Sequence, residues 1–91
     1  MTSHLLEFVY MLNGRDADKY FIVVSSKDNL LYVCNGKNRK VTSPKPKNPK
    51  HLRFTGVRDE KLYEKISNGL EITNKEVRKS IRRYQEVIQE L

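Results

Sequence analysis

The residues best suited to chemistry in this sequence are lysines and arginines that crowd into one segment, residues 36–58. This segment holds eight basic residues and no aspartate or glutamate. Residues 1–35 hold three basic and four acidic residues and residues 59–91 hold seven of each, so the formal net charge of +7 arises in the middle of the chain. Because lysine and arginine displace counterions from phosphates, charge concentrated in this way predicts a surface that binds a polyanion.

Prolines alternate with lysines inside the basic segment, at Pro44, Pro46 and Pro49. Proline fixes φ and removes a backbone N–H, which excludes a helix or a central strand and predicts an extended, polyproline-like loop. A loop that is stiff before binding loses little conformational freedom when its lysine side chains meet a phosphate backbone. The alternative is a solvated linker whose lysines only keep it in solution.

Other side chains offer little chemistry. The single cysteine, Cys34, is predicted to be a small buried residue of a strand, and His4 and His51 lack the spacing of metal ligands. The sequence has no glycine-rich phosphate loop and no grouping of nucleophile, base and acid, and 91 residues leave little room for a closed pocket. We therefore predict a protein that is not an enzyme and that has no metal site and no cofactor.

The composition predicts one small domain, since 91 residues of which 37% are hydrophobic support only a modest core. No apolar run approaches the ~20 residues of a membrane helix, and the sequence does not begin like a secretory signal. A lone cysteine cannot form an internal disulfide, which agrees with a reducing compartment. We therefore expect a cytoplasmic protein without a membrane segment; its oligomeric state is open, with a monomer expected.

The first half of the chain reads as short strands joined by tight turns. After a disordered tail at residues 1–5, aromatic and β-branched residues predict strands at residues 6–11, 19–26, 30–35 and 39–42. Asn13-Gly14 predicts a tight reversal after the first strand, because both residues tolerate positive φ. Four short strands within about forty residues favour a small antiparallel barrel or sandwich.

The last third of the chain changes to a helical period. Residues 59–68 form a predicted helix, and a second helix begins at a capping box in which Thr73 and Glu76 bond each other's backbone amides. An apolar stripe predicts that the second helix runs to about residue 90, through Val77, Ile81, Tyr84 and Ile88. Its opposite face carries Lys75, Arg78, Lys79, Arg82 and Arg83. These residues either extend the basic surface or form a solvated face balanced by Glu76, Glu86 and Glu90, and we favour the solvated face.

Residues 14–53 resemble the KOW-motif, SH3-like barrels of the ribosomal large-subunit protein type called L-fourteen-e, and the small bacterial KOW-domain RNA-binding proteins. The likeness lies in Gly14-Arg15-Asp16 ahead of a buried strand, in the run from 35 to 41 that begins Asn-Gly-Lys, and in the lysine–proline run that ends at Lys50-His51-Leu52. Residues 74–84 are similar to the tail of the bacterial members.

In that family the Gly-Arg-Asp turn and the basic strand with its lysine tail face RNA. The resemblance therefore implies an α+β protein, in which a small antiparallel SH3-like barrel at residues 6–56 carries a basic loop at 43–53. One or two C-terminal helices follow as an appendage at 57–91. The chain departs from the family at Asp18, since members usually have a glycine shortly after Gly-Arg-Asp.

These observations predict an RNA-binding protein with a role in translation, which binds structured, ribosomal RNA by shape and charge. The predicted RNA contacts are Arg15, Lys37, Arg39, Lys40, Lys45, Lys47, Lys50, His51 and Arg53. Ribosomal or other translation proteins are further expected partners. Arg15 could instead pair with Asp16 and pin its own turn. The alternative function is a protein-interaction module that docks an acidic partner of the translation or transcription machinery, with the last helix packing on that partner.

Overall fold

An antiparallel sheet with helices packed on one face makes up the computed structural model, which describes residues 4–89. Within that range the elements are β1 (Glu7–Met11), β2 (Tyr20–Lys27), β3 (Leu30–Cys34), β4 (Lys45–Lys47), a 3₁₀ turn (Pro49–His51), β5 (Leu52–Arg58), α1 (Glu60–Ser67) and α2 (Asn74–Gln89). The strands lie side by side in the order β4-β3-β2-β1-β5. This architecture confirms the α+β class and the two helices that follow the strands.

The sheet is open within the described residues. Its edges are β4, which pairs with β3, and β5, which pairs with β1. The resemblance to KOW-motif proteins implies an SH3-like barrel, and this order of hydrogen-bonded strands does not close one. The register of β1 and β5 shifts between Glu7 and Val9, where Gly56 lies in a bulge at φ +77°. A bulge bends its strand, here where the chain leaves the sheet for α1.

Both faces of the sheet are buried, which explains the continuous apolar run of β2. Side chains alternate between the faces along a strand, so Phe21 and Val23 lie in one apolar cluster and Ile22 in another. The sheet cluster draws only on strand residues: Val9, Met11, Phe21, Val23, Leu31, Val33 and Leu52. The helix cluster joins sheet to helices: Leu6, Phe8, Ile22, Cys34, Leu62, Ile72, Val77 and Ile81. Burying one large apolar side chain contributes roughly 1.5–3 kcal/mol, so both clusters are needed in a chain of this size.

The predicted strand at residues 39–42 is wrong. These residues form turns in the connection between β3 and β4 (residues 35–44, the β3–β4 connection). The cause is Asn35, whose side-chain oxygen accepts hydrogen bonds from the backbone N–H groups of Lys37 (2.9 Å) and Arg39 (3.1 Å). An asparagine that bonds the backbone two and four residues later competes with extended pairing and coils the chain.

The strand instead lies inside the proline–lysine segment (residues 43–53). There β4 pairs with β3, and Pro46 stands opposite Tyr32. Proline is tolerated because β4 is an edge strand, where an N–H is not needed on the outer side. The predicted loop is therefore a strand, a 3₁₀ turn and the start of β5, and β5 itself was not predicted from the sequence.

Both helices begin where the sequence predicts. Asp59 caps α1 by accepting a hydrogen bond from the backbone N–H of Leu62 at 3.0 Å. The capping box of α2 is present, since Thr73 N donates to Glu76 Oε1 at 2.9 Å and Glu76 N donates to Thr73 Oγ1 at 3.1 Å. Each cap contributes about 1 kcal/mol. The predicted end of α2 at residue 90 lies outside the described residues.

The predicted disordered tail also falls partly outside the described range, because residues 1–3 are not described. Of the remainder, His4 Nδ1 lies 2.7 Å from Glu7 Oε1, and Leu5 packs against the helix cluster. Across residues 4–89, no helix combines the length and apolar character that crossing a membrane requires.

Candidate nucleic-acid interface

The loop between β1 and β2 (residues 12–19, the β1–β2 loop) is organised by a buried carboxylate, Asp16, of which only 3% is exposed. Its Oδ2 accepts a hydrogen bond from Arg39 Nε at 2.9 Å and lies 3.6 Å from Lys45 Nζ. Its Oδ1 accepts from Asn38 Nδ2 at 3.0 Å. The carboxylate therefore ties the β3–β4 connection and β4 to the β1–β2 loop.

The pKa of Asp16 reflects two opposing effects. Burial by itself raises the pKa, but hydrogen bonds from Asn38 and Arg39 and the charges of Arg39 and Lys45 outweigh it, so the pKa falls below its ordinary value. Asp16 is consequently ionised at neutral pH. It holds two basic side chains in place and also neutralises part of their charge.

The β1–β2 loop also contacts the proline–lysine segment. Asn13 Nδ2 donates to His51 Nδ1 at 2.8 Å, and Leu12 N donates to His51 O at 3.1 Å. Gly14 adopts φ +86°, and Lys47 Nζ lies 3.7 Å from the position that a Cβ on this glycine would take. The segment is therefore anchored by the pairing of β4 with β3 and by His51 at the end of the 3₁₀ turn. The interpretation of residues 43–53 as a solvated linker does not describe its structure.

The structure brings some of the predicted contact residues together and leaves others apart. Arg39 and Lys45 meet at Asp16, and Lys47 and His51 meet the β1–β2 loop. The remaining predicted contacts are exposed at separate points of the same chain segments: Arg15, Lys37, Lys40, Lys50 and Arg53. Among the described residues, no ion pair joins Arg15 to Asp16, whose basic partners are distant in sequence.

Arg53, at the end of the proline–lysine segment, lies over the aromatic ring of Tyr10. Its guanidinium carbon is 4.9 Å from the centroid of the Tyr10 ring, a distance at which a cation is attracted to the ring face. The Tyr10 hydroxyl in turn donates to Asp18 Oδ1 at 3.0 Å. This hydrogen bond is the main reason that the pKa of Tyr10 is raised, and burial is the second. Arg53 is thus held beside the end of the β1–β2 loop.

Asp18 occupies a backbone conformation that favours glycine. Its φ is +66°, in the left-handed region that aspartate tolerates better than most side chains. The hydrogen bond from the Tyr10 hydroxyl to Asp18 Oδ1 partly offsets the strain of aspartate here.

Three basic residues outside the predicted RNA contacts line a groove beside α2, which we call the helix groove. It has a volume of about 310 Å³ and is formed by the β1–β2 loop, the β3–β4 connection and α2. Among residues 4–89, its basic side chains are Lys19, Lys37, Arg78 and Arg82, and its single acidic side chain is Asp18. Arg78 and Arg82 are spaced four residues apart and so share a helix face. That spacing was visible in the sequence, but the neighbours of this face were not.

The fold and the site define a small α+β protein with a basic surface. The loops that form this surface are joined to one another by hydrogen bonds. Comparison of the chain with protein-family models finds no match, and comparison with curated proteins finds none either. Within residues 4–89, no three side chains of histidine, cysteine, aspartate or glutamate are grouped so that they could hold a metal ion. A function is therefore inferred from the geometry and charge of the surface itself.

Proposed function

We propose that this protein is a non-enzymatic RNA-binding protein that binds structured, ribosomal RNA through basic residues around the β1–β2 loop and acts in translation. The observation that carries the proposal is the anchoring of the proline–lysine segment in the sheet. Pairing of β4 with β3 and the contacts of His51 with the β1–β2 loop fix the backbone from which Lys45, Lys47 and Lys50 extend. A fixed backbone lowers the conformational entropy lost on binding a phosphate chain.

The exposed basic side chains and the paired ones have different roles in this proposal. Arg15, Lys40 and Lys50, which are exposed, and Lys47, which is half-buried, reach phosphates. Arg39 and Lys45 instead position the loops through Asp16. Recognition then depends on the shape and charge of the RNA backbone more than on its sequence, which is the common mode for folded RNA. If about five phosphates are contacted, log Kd changes with log salt concentration with a slope of roughly 3.5 to 4.5 in magnitude.

We also propose that the strands form an SH3-like, KOW-type barrel whose edges approach without pairing. Support comes from the sheet cluster, which is buried although only strand residues form it. A sheet must curl to bury one of its faces against itself. The contacts of Lys45 and His51 with the β1–β2 loop bring the region around β4 toward the end of β1, which is the direction that curling requires.

The alternative of a protein-interaction module is less well supported, because it assigns the apolar stripe of α2 to a partner. Val77 and Ile81 of that stripe are buried in the helix cluster, and the Tyr84 ring stacks on Phe8 with centroids 4.5 Å apart. These three residues of the stripe are therefore covered by the protein's own sheet. An acidic protein partner remains an outcome of the binding experiment.

Fluorescence anisotropy with a structured RNA hairpin and a duplex DNA, each at several salt concentrations, tests the proposal. The variant Lys47→Ala/Lys50→Ala removes two charges. It leaves Lys45 unchanged, because Lys45 forms an ion pair with Asp16. Its matched control is Lys27→Ala/Lys61→Ala, since both of these lysines are exposed on other parts of the fold. We expect salt-dependent binding that prefers RNA, and a salt slope smaller by about 1.4 to 1.8 in the first variant only. Equal, weak binding to both nucleic acids by all three proteins contradicts the proposal.

A further inference from the structure

Helix α2 is attached to the β3–β4 connection by specific contacts. Arg78 Nη1 donates to Gly36 O at 2.7 Å, and the Val41 backbone N–H donates to Asn74 Oδ1 at 2.8 Å. Gly36 approaches so closely that a Cβ there would stand 2.4 Å from Asn74 O. The walls of the helix groove are therefore held in fixed relative positions, as a preorganised binding site requires.

The basic side chains of the groove are available to a ligand. Lys19, Lys37 and Arg82 are exposed, and within residues 4–89 their side chains form no hydrogen bond or ion pair. Arg78 uses one nitrogen for Gly36. The groove thus presents four positive charges against the single negative charge of Asp18.

The acidic residues of α2, Glu76 and Glu86, do not line this groove. Glu76 accepts from Lys65 Nζ at 2.8 Å and from Thr73 N at 2.9 Å, and these contacts lower the pKa of Glu76. They direct its carboxylate toward α1, and the groove lining contains no residue of α1. Glu86 is exposed and does not line the groove, and within residues 4–89 no ion pair joins an acidic residue to Arg78 or Arg82.

We propose that the helix groove binds a second stretch of the RNA backbone, with Lys37 and Arg82 as its principal phosphate contacts. The inference rests on the proposed RNA-binding function and extends it to a surface that includes α2. The β1–β2 loop borders both the proline–lysine segment and the helix groove, because Gly14 lies beside Lys47 and Lys19 lines the groove. An RNA that crosses this loop meets positive charge on both sides, which suits an extended phosphate chain rather than a single small anion.

The experiment compares Lys37→Ala/Arg82→Ala with the control Lys27→Ala/Lys61→Ala in the same RNA anisotropy assay. Both variants remove two exposed charges, and thermal melting by circular dichroism checks that both remain folded. We expect the groove variant to bind the hairpin at least about tenfold more weakly and to lower the salt slope by about 1.4 to 1.8. The control should match the native chain.

A gain-of-affinity variant excludes misfolding as the explanation. Asp18→Asn removes the negative charge of the groove, keeps an oxygen that can accept from Tyr10, and tolerates positive φ. We expect it to strengthen hairpin binding by about 1.5- to fivefold, the scale of one exposed charge interaction. Unchanged or weaker binding contradicts the inference.

The outcomes separate this inference from the function on which it rests. If Lys47→Ala/Lys50→Ala weakens binding while the groove variant behaves like its control, the groove is not an RNA site and the proposed function stands. If the native chain shows no preference for RNA, both proposals fail. Weakening by both variants, with a larger loss when they are combined, supports two sites on one RNA.

Discussion

Arg39 Nε donates a hydrogen bond to Asp16 Oδ2 at 2.9 Å, and this contact fastens the β3–β4 connection to the β1–β2 loop across 23 positions of sequence. A buried carboxylate thus lies among the basic side chains of this surface. It fixes Arg39 and Lys45 in position. Removing it should change the stability of the fold as well as the arrangement of the loops.

We expect Asp16→Ala to lower the free energy of unfolding by about 1.5–3 kcal/mol at pH 7, because hydrogen bonds to a buried charge are lost and two basic groups lose their counter-charge. Urea denaturation measures the difference. Glu71→Ala, which removes an exposed carboxylate, serves as the control and should change stability by less than about 0.5 kcal/mol.

The difference in the free energy of unfolding between the native chain and Asp16→Ala should depend on pH, because the pKa of Asp16 is lowered in the folded state. The folded state holds this pKa below the ordinary value of 3.8, so the stabilisation is complete above 3.8 and is lost as the pH falls through the folded-state pKa. The native chain and Asp16→Ala should therefore converge in stability in strong acid. A difference that stays constant from neutral pH into strong acid contradicts a role for the carboxylate charge.

Gly36→Ala should detach α2 from the β3–β4 connection. The residue has φ +77°, and a Cβ would meet Asn74 O at 2.4 Å and Arg78 Cγ at 2.9 Å. Gly69→Ala is a matched control, because Gly69 has φ +76° with open space around it. Both substitutions incur a left-handed backbone penalty of about 1–2 kcal/mol, and Gly36→Ala should lose at least about 1 kcal/mol more through the clash.

Thermal melting and urea denaturation of these two glycine variants provide the comparison. Hydrogen exchange shows which part of the fold is loosened, since amides at the start of α2 should exchange faster in Gly36→Ala alone. Equal destabilisation by both variants would mean that the close approach of Gly36 to Asn74 does not hold the helix in place.

Cys34 should be unreactive in the folded protein. Its side chain is fully buried in the helix cluster, and burial raises the pKa of the thiol to about 12. The reactive thiolate is therefore scarce at pH 8, and a reagent must wait for the structure to open. We expect labelling by a disulfide reagent to be at least about a hundredfold slower than in denaturing urea. Comparable rates in the two conditions contradict the burial of Cys34.

Local signals in the sequence were sufficient for the parts of the fold that depend on neighbouring residues. The strands β1, β2 and β3 and both helices begin close to their predicted positions, and the capping box of Thr73 and Glu76 forms as expected. These elements follow from side-chain periodicity and from hydrogen bonds across a few residues. The positive charge of residues 36–58 is likewise visible in the composition alone.

Long-range pairing decided the rest of the sheet. The sequence of β4 contains a proline and reads as a loop, and only its place at the edge beside β3 allows it to be a strand. The sequence of β5 alternates weakly, and its partner β1 lies more than 40 positions earlier in the chain. Neither pairing leaves a local pattern, because the hydrogen bonds depend on residues that the chain must bring back together.

The sequence by itself determined β1, β2, β3, both helices and the location of the basic segment, because these follow from residue identity and short spacing. Only the tertiary structure decided how that charge is arranged. It paired Arg39 and Lys45 with Asp16 and turned Arg78 and Arg82 toward the β3–β4 connection. Such partners depend on how distant segments pack, since an electrostatic contact is set by separation in space and not by separation in sequence.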